Sequence, residues 1–168
     1  MLFRSFLLGW ISFQSSDSGW VALQNSDATG VAIGETNIFW SKAPSVHDRY
    51  YPAGFINTYN VAASPYVFLG KDSSIISLTN PVVILSGGGL GLVTGSVAYN
   101  GKLKYSTNNL TLNINPTLGS FSGRFQDSAD GPSIKLGGVV LQNQDGGGGF
   151  GYFLGTNNES GVVLLQNQ

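Results

Sequence analysis

Few residues in this sequence have the chemistry for acid–base or nucleophilic catalysis. The only imidazole belongs to His47, and Asp48 follows it directly. A Ser-His-Asp triad needs a carboxylate that orients the imidazole, but adjacent residues on an extended chain point in opposite directions. Glu35 precedes Trp40 and could face a sugar cleft, yet a glycosidase needs a second carboxylate across that cleft. We therefore predict no enzyme and no catalytic residue, with a small hydrolase using Glu35 or His47 as a minor alternative.

Metal and cofactor chemistry also lacks suitable residues. The chain has no Cys and one His, which excludes thiolate zinc sites, iron–sulfur clusters and Cys nucleophiles. Four consecutive glycines at 146–149 resemble a phosphate loop, but the Lys-Ser/Thr pair that such a loop needs does not follow. The sequence predicts no metal site and no cofactor.

Aromatic side chains are the remaining candidates for ligand binding. Trp40, Tyr50 and Tyr51 lie in or beside residues 41–63, the one long segment without clear alternation, and His47 lies in the same segment. Binding residues are often carried on such loops, and flat aromatic faces near amide groups suit neutral polysaccharides. We predict a ligand site at Trp40, Tyr50, Tyr51 and His47, and expect Trp10 and Trp20 to fill the core.

Charge is scarce and balanced along the chain. Eight Lys and Arg stand against nine Asp and Glu, which gives a net charge of −1, and charged residues make up 10% of the sequence, against roughly 25% in a typical protein. No run of basic residues exists to gather phosphate groups, so nucleic acid is not an expected partner. Surface polysaccharide or other domains of a larger parent protein are the expected partners.

Apolar and polar residues alternate with a period of two, which indicates strands. Leu110, Leu112 and Ile114 share one strand face, and Phe150, Tyr152 and Leu154 repeat this pattern between glycines. The segments that we predict as strands are 6–13, 19–24, 37–40, 66–69, 81–86, 96–99, 102–105, 110–114, 120–126, 133–142, 150–154 and 162–166. We expect an all-β fold, an antiparallel β-barrel or sandwich of about ten to twelve short strands.

Turn signals and internal similarity give two further predictions. Asn100-Gly101 is the strongest hairpin signal, because a two-residue type I′ turn needs positive φ at both positions. Segments 19–25, 138–143 and 161–167 all begin with Gly, continue with an apolar run and end in Gln-Asn. We predict a single β domain over residues 1–168, and we leave open an internal duplication with halves of about 1–69 and 70–168.

The N-terminal residues 1–16 allow two interpretations. Arg4 precedes a short apolar run, Phe6–Phe13, as in a signal peptide, but no Ala-x-Ala cleavage site follows. The run is too short for a transmembrane helix, which needs about 20 apolar residues. We favour a core strand over a signal segment, and expect no membrane span.

Several short motifs, in this order, carry a resemblance to a known family. They are LLGWISF at 7–13, IFWSK at 38–42, YYPAGF at 50–55, GSFSGRF at 119–125, GVVLQ at 138–142 and GYFLG at 151–155. Together they resemble the β-rich C-terminal regions of large secreted bacterial proteins, which often carry immunoglobulin-like or other extracellular repeats. The resemblance covers residues 6–165. It implies an extracellular or cell-surface β module and supplies no catalytic residue.

These observations lead to one expected function and one alternative. We expect a noncatalytic extracellular β module with a structural, adhesive or surface-display role. The alternative is a module that binds carbohydrate or an apolar ligand, either on the aromatic residues of the loop or inside the fold.

Overall fold

The structure is a computed structural model whose described residues form strands, turns and extended segments, with no helix among them. It describes residues 6–13, 17–25, 32–64, 66–70, 75–76, 78–96, 98–99, 104–106, 109–128, 130–142, 148–156 and 159–168. Neighbouring strands pair antiparallel throughout these residues. The predicted all-β antiparallel class is confirmed. Since no helix is found in these ranges, none of them forms a helical membrane span.

The chain divides into two compact units, of which the first is Met1–Pro65. It contains a four-stranded sheet in the order β1-β2-β3-β4, and each strand pairs with the next one in the chain. The predicted strand at Phe6–Phe13 is present as β1, and Trp10 lies opposite Trp20. The strands are β1 (Phe6–Phe13), β2 (Asp17–Asn25), β3 (Ala32–Lys42) and β4 (Phe55–Ala63).

The second unit, Tyr66–Gln168, contains a sheet of nine strands. Their order is β6-β5-β13-β12-β11-β10-β9-β8-β7, so most strands again pair with their neighbours in the chain. The strands are β5 (Pro81–Gly87), β6 (Leu90–Ser96), β7 (Ala98–Tyr99), β8 (Lys104–Ser106), β9 (Leu110–Asn115), β10 (Ser120–Gln126), β11 (Ser133–Leu141), β12 (Gly148–Leu154) and β13 (Ser160–Asn167).

The two outer strands of the nine-stranded order are consecutive in the chain. Residue 97 alone separates β6 from β7, so the ends of these strands lie within about 7 Å of each other. The sheet must therefore curl around its inner face. No ladder pairs β6 with β7 in the described residues, so the sheet is not closed into a barrel by strand pairing, and the order is compatible with a sandwich-like arrangement.

The inner face of the nine-stranded sheet carries the hydrophobic core. Buried apolar side chains alternate along the strands, and Leu112 and Val163 have no exposed area. Among the described residues no polar or charged side chain is buried, and each large apolar side chain stabilises the fold by roughly 1.5–3 kcal/mol when fully buried. The core consists of Ile75, Ile76, Val83, Leu85, Leu110, Leu112, Ile114, Phe121, Phe125, Ile134, Leu136, Val140, Phe153, Val163 and Leu165.

Glycines on the inner face make room for the large rings of this core. A Cβ on Gly149 would lie 2.9 Å from Cε1 of Phe121, and one on Gly151 would lie 2.8 Å from its Cζ. A Cβ on Gly161 would overlap the ring of Phe153 in the same way. Close packing at native density leaves no space for these extra atoms. Gly149 and Gly151 of β12 and Gly161 of β13 are therefore required for packing.

The segment 66–69 is not a strand, contrary to the sequence prediction. Its backbone bonds to a side-chain amide: the Val67 N–H donates to Oε1 of Gln142 at 2.7 Å, and Nε2 of Gln142 donates to the Val67 carbonyl at 3.0 Å. The hydroxyl of Tyr66 donates to the carbonyl of Pro116. Because these side-chain contacts take the place of a strand ladder, the apolar run at 66–69 does not form a strand.

Two further sequence predictions differ from the structure. The loop predicted at 41–63 is shorter in the structure, because β4 occupies its second half. Strand β6 was not predicted, because its glycines interrupt the alternation of apolar and polar residues. Asn100-Gly101 lies outside the described residues, so the turn predicted there stays a prediction.

Segments 19–25 and 161–167 lie within β2 and β13, and segment 138–143 begins in β11, which ends at Leu141. The boundary between the two compact units falls after Pro65, close to the predicted boundary between the halves. A single domain with duplicated halves stays a prediction.

Candidate functional site

The loop between β3 and β4, residues 43–54, is closed by its own backbone hydrogen bonds. The Ser45 N–H donates to the Pro52 carbonyl at 2.9 Å, and the Asp48 N–H donates to the Ser45 carbonyl at 3.2 Å. At the end of the loop the Gly54 N–H donates to the Tyr51 carbonyl at 2.9 Å. Gly54 has a φ of +70°, which a glycine adopts without steric cost. We call these residues the β3–β4 loop.

Lys42 fastens the β3–β4 loop from the last position of β3. Its Nζ donates to Oδ2 of Asp48 at 2.6 Å and to the carbonyl of Tyr51 at 3.1 Å. The hydrogen bond from Lys42 holds the pKa of the Asp48 carboxyl below its ordinary value. One ammonium group therefore ties two separate turns of the loop together.

Tyr51 has an unusual backbone conformation within this loop. Its φ is +51°, the left-handed region that non-glycine residues seldom adopt, at a cost on the order of 1 kcal/mol. The hydrogen bonds that its carbonyl accepts from Lys42 and from the Gly54 N–H hold it there. Strained backbone of this kind is concentrated at functional sites.

The structure brings two of the predicted site residues together through a third aromatic ring. Phe55 lies edge-on to Trp40, with ring centroids 5.3 Å apart, and edge-on to Tyr51 at 5.0 Å. Trp40 keeps 40% of its surface exposed. The sequence analysis did not select Phe55, although its position at the start of β4 beside Trp40 on β3 is what assembles the cluster. These three rings form a partly exposed apolar surface that can stack against a flat ligand.

The other predicted site residues lie near this cluster in the chain. The guanidinium of Arg49 lies 5.3 Å from the ring centroid of Tyr50, a cation–π contact. His47 is exposed on the loop. Glu35, the alternative catalytic carboxylate, lies in β3 where the pairing with β4 is irregular between Gly34 and Ile38. Among the described residues, no three His, Asp or Glu side chains gather closely enough to hold a metal ion.

A second surface lies on the outer face of the nine-stranded sheet. Its side chains are large and apolar, and each is between 39% and 62% exposed. Val139 is paired with Phe150, and Tyr152 is paired with Val162, so these side chains are direct cross-strand neighbours. We call this surface the outer patch; it comprises Val139, Phe150, Tyr152, Leu154 and Val162.

The sequence grouped Phe150, Tyr152 and Leu154 on one face of a strand, and the structure confirms the grouping but places it outside. The inner positions of β12 are taken by Gly149, Gly151 and Phe153. Alternation shows which residues share a face but cannot show which face is buried when both carry aromatic residues.

A third surface continues the outer face toward β9. Arg124 on β10 lies directly opposite Lys135 on β11, and both are exposed. Within the ranges that the structure describes, neither of them reaches an acidic side chain, the observed salt bridge being Lys42 to Asp48. The two border a shallow depression of about 390 Å³, the cationic groove, which is lined by Thr111, Asn113, Ser122, Gly123, Arg124, Lys135 and Leu136.

Comparison with known proteins adds no assignment to these three surfaces. No protein-family model matches the chain, no curated protein matches it, and no solved structure matches its fold.

Proposed function

We propose that this chain is a noncatalytic β module of the extracellular space or cell surface, with an adhesive, structural or surface-display role. The outer patch is the observation that carries this proposal. Soluble proteins seldom expose neighbouring large apolar side chains without using them for contact. The inner face beneath the patch is packed by side chains such as Phe153 and Val163, so the sheet is a rigid support for a surface contact.

Composition and resemblance support the location. The surface relies on neutral polar groups, with 10% charged residues and no Cys. The ordered motifs of the chain resemble C-terminal regions of secreted bacterial surface proteins, and such proteins work outside the cell. A bacterial origin and an extracellular location are therefore part of the proposal.

The β3–β4 loop favours carbohydrate binding as a second candidate function. Trp40 and Tyr51 are held through Phe55, and Lys42 fixes the backbone between them. A site that is rigid before binding loses less entropy when the ligand arrives. The filled core of the second unit favours a surface site over an apolar ligand held inside that unit.

Retention of the full chain on insoluble polysaccharides, together with a glycan array, tests both functions. We expect retention without release of soluble sugar. If the loop binds, Trp40→Ala and Tyr51→Ala will reduce retention, while Ile56→Ala, a change at a neighbouring residue that is 76% exposed, will not. If the outer patch binds, Phe150→Ala and Val162→Ala will reduce retention instead. Sugar release that His47→Ala abolishes would contradict a noncatalytic module.

A further inference from the structure

We propose that the outer face of β9 to β13 binds an acidic polysaccharide, with a sugar ring against Tyr152 and the acid groups at Arg124 and Lys135. This inference deepens the proposed surface-binding role and rests on it. It starts from a row of paired residues that crosses the sheet through the cationic groove and the outer patch. In order, the row is Asn113, Ser122, Gly137, Tyr152 and Val162.

Gly137 opens a space beside the ring of Tyr152. The two residues are paired across β11 and β12, and Tyr152 is 62% exposed. A Cβ on Gly137 would meet only the backbone oxygen of Phe121, at 3.6 Å, so no side chain fills this position. A flat ring can enter here and lie against the face or edge of the tyrosine, as sugars do on aromatic residues.

Arg124 and Lys135 supply the charge selectivity. Like charges directly opposite each other on paired strands repel, and no acidic side chain among the described residues offsets them. A bound carboxylate or sulfate would remove this repulsion and form charge-assisted hydrogen bonds. Two strand spacings, about 10 Å, separate the strand of Arg124 from that of Tyr152. This distance suits a short segment of a polysaccharide.

Hydroxyl and amide groups in the cationic groove match a sugar better than a nucleic acid. Ser122 and Asn113 line this groove together with Arg124 and Lys135, and they bind neutral hydroxyl groups as readily as charged ones. A nucleic acid needs cations along its whole path, whereas the chain has a net charge of −1. We therefore assign the face to a polysaccharide with intermittent acid groups.

Calorimetric titration of the full chain with polygalacturonate tests this assignment, with dextran as the neutral polymer and oligo(dT) as the nucleic acid. We expect binding to polygalacturonate that weakens as salt is added, because the charges lie at the surface. Dextran should bind at least about tenfold more weakly, the loss expected when charged hydrogen bonds are absent. Oligo(dT) should also bind at least about tenfold more weakly, because its phosphates need cations along the whole path of the strand.

Three variants locate the site. The double variant Arg124→Gln/Lys135→Gln and the single variant Tyr152→Ala should each weaken polygalacturonate binding at least about tenfold. Gly137→Val fills the space beside Tyr152 and should block binding while the melting temperature stays close to that of the original chain. Arg49→Gln removes one positive charge from the β3–β4 loop, which is not part of the nine-stranded sheet, and should leave binding unchanged.

Each contrary result would overturn the assignment. These results are the absence of polygalacturonate binding, equal binding of dextran, tighter binding of oligo(dT), or unchanged binding in the double variant. If polygalacturonate fails to bind but another polysaccharide retains the chain through Trp40 and Tyr51, this inference alone fails and the proposed function stands.

Discussion

The ring of Phe121 occupies the space that a side chain on Gly138 would need, because a Cβ there would overlap its Cζ. Gly138 lies on the inner face of β11, whereas the preceding Gly137 lies on the outer face, where a Cβ has room. Two adjacent glycines of one strand therefore have opposite roles: one is required for packing and the other leaves a surface position open.

This contrast predicts different effects of the same substitution. Gly138→Ala should lower the free energy of unfolding by about 1–3 kcal/mol, the usual cost of overpacking a core. Gly137→Ala should change it by less than about 0.5 kcal/mol. Urea denaturation followed by circular dichroism measures both values. Equal stability of the two variants would show that Phe121 does not pack on Gly138.

The two faces of β12 predict a second contrast. Phe153 is 1% exposed and lies edge-on to Phe125 at 5.1 Å, so Phe153→Ala should cost about 3–5 kcal/mol. Phe150 is 42% exposed, and Phe150→Ala should cost about 1 kcal/mol or less. Thermal unfolding of both variants gives the comparison. A larger loss for Phe150→Ala would mean that the strand has the opposite orientation.

Tyr66 anchors the segment that precedes β5. Its hydroxyl donates to the Pro116 carbonyl, and its ring packs on Gly119. Tyr66→Phe removes the hydrogen bond and should lower stability by about 1 kcal/mol. Tyr152→Phe, which removes an exposed hydroxyl, should lower it by less than about 0.5 kcal/mol. Denaturation of the two variants in parallel separates these effects.

Tyr66 also makes the stability of the fold depend on pH in the alkaline range. Burial raises the pKa of Tyr66 above the ordinary 10.0, with the backbone hydrogen bond involving Gly119 acting in the opposite direction. The unfolded chain then loses this proton first as pH rises, so the contribution of Tyr66 is complete below pH 10.0 and declines above it. Tyr66→Phe should make stability less sensitive to pH above that value. An unchanged alkaline slope in the variant would refute this origin.

Lys42 controls the order of the β3–β4 loop. Lys42→Gln should accelerate amide hydrogen exchange at Ser45 and Gly54 several-fold, since both turns lose the hydrogen bonds from the Lys42 ammonium group. Asp48→Asn should accelerate exchange less, because Lys42 still donates to the Tyr51 carbonyl. Exchange rates that stay unchanged in Lys42→Gln would mean that the backbone bonds alone hold the loop.

The ion pair also predicts behaviour in acid. The pKa of Asp48 is lowered by the hydrogen bond from Lys42, so its contribution is present above the ordinary value of 3.8 and is lost as pH falls through the lowered pKa. The side-chain carboxyl resonance of Asp48 should therefore titrate with a midpoint below 3.8. A midpoint above 3.8 for this carboxyl would contradict the bond between Lys42 and Asp48.

Local sequence predicted most of the strands. Alternation correctly placed Leu112 and Ile114 on one face of β9, because the opposite face of this strand is polar. It could not orient Phe150 and Tyr152, since both faces of β12 are apolar. The partnership of Phe55 with Trp40 and the pairing of Arg124 with Lys135 depend on strand register, and the segment at 66–69 depends on Gln142, far away in the chain. The alternation of apolar and polar residues in the sequence gives no information about any of these contacts.

Binding without turnover is the central property that we propose for the molecule, and a single incubation with an insoluble polysaccharide panel measures both binding and turnover. The bound fraction of the full chain and the soluble reducing ends are determined from the same samples. We expect the chain to be retained and the reducing ends to stay at background. Release of reducing ends that grows with time and disappears in His47→Ala would contradict a noncatalytic surface module.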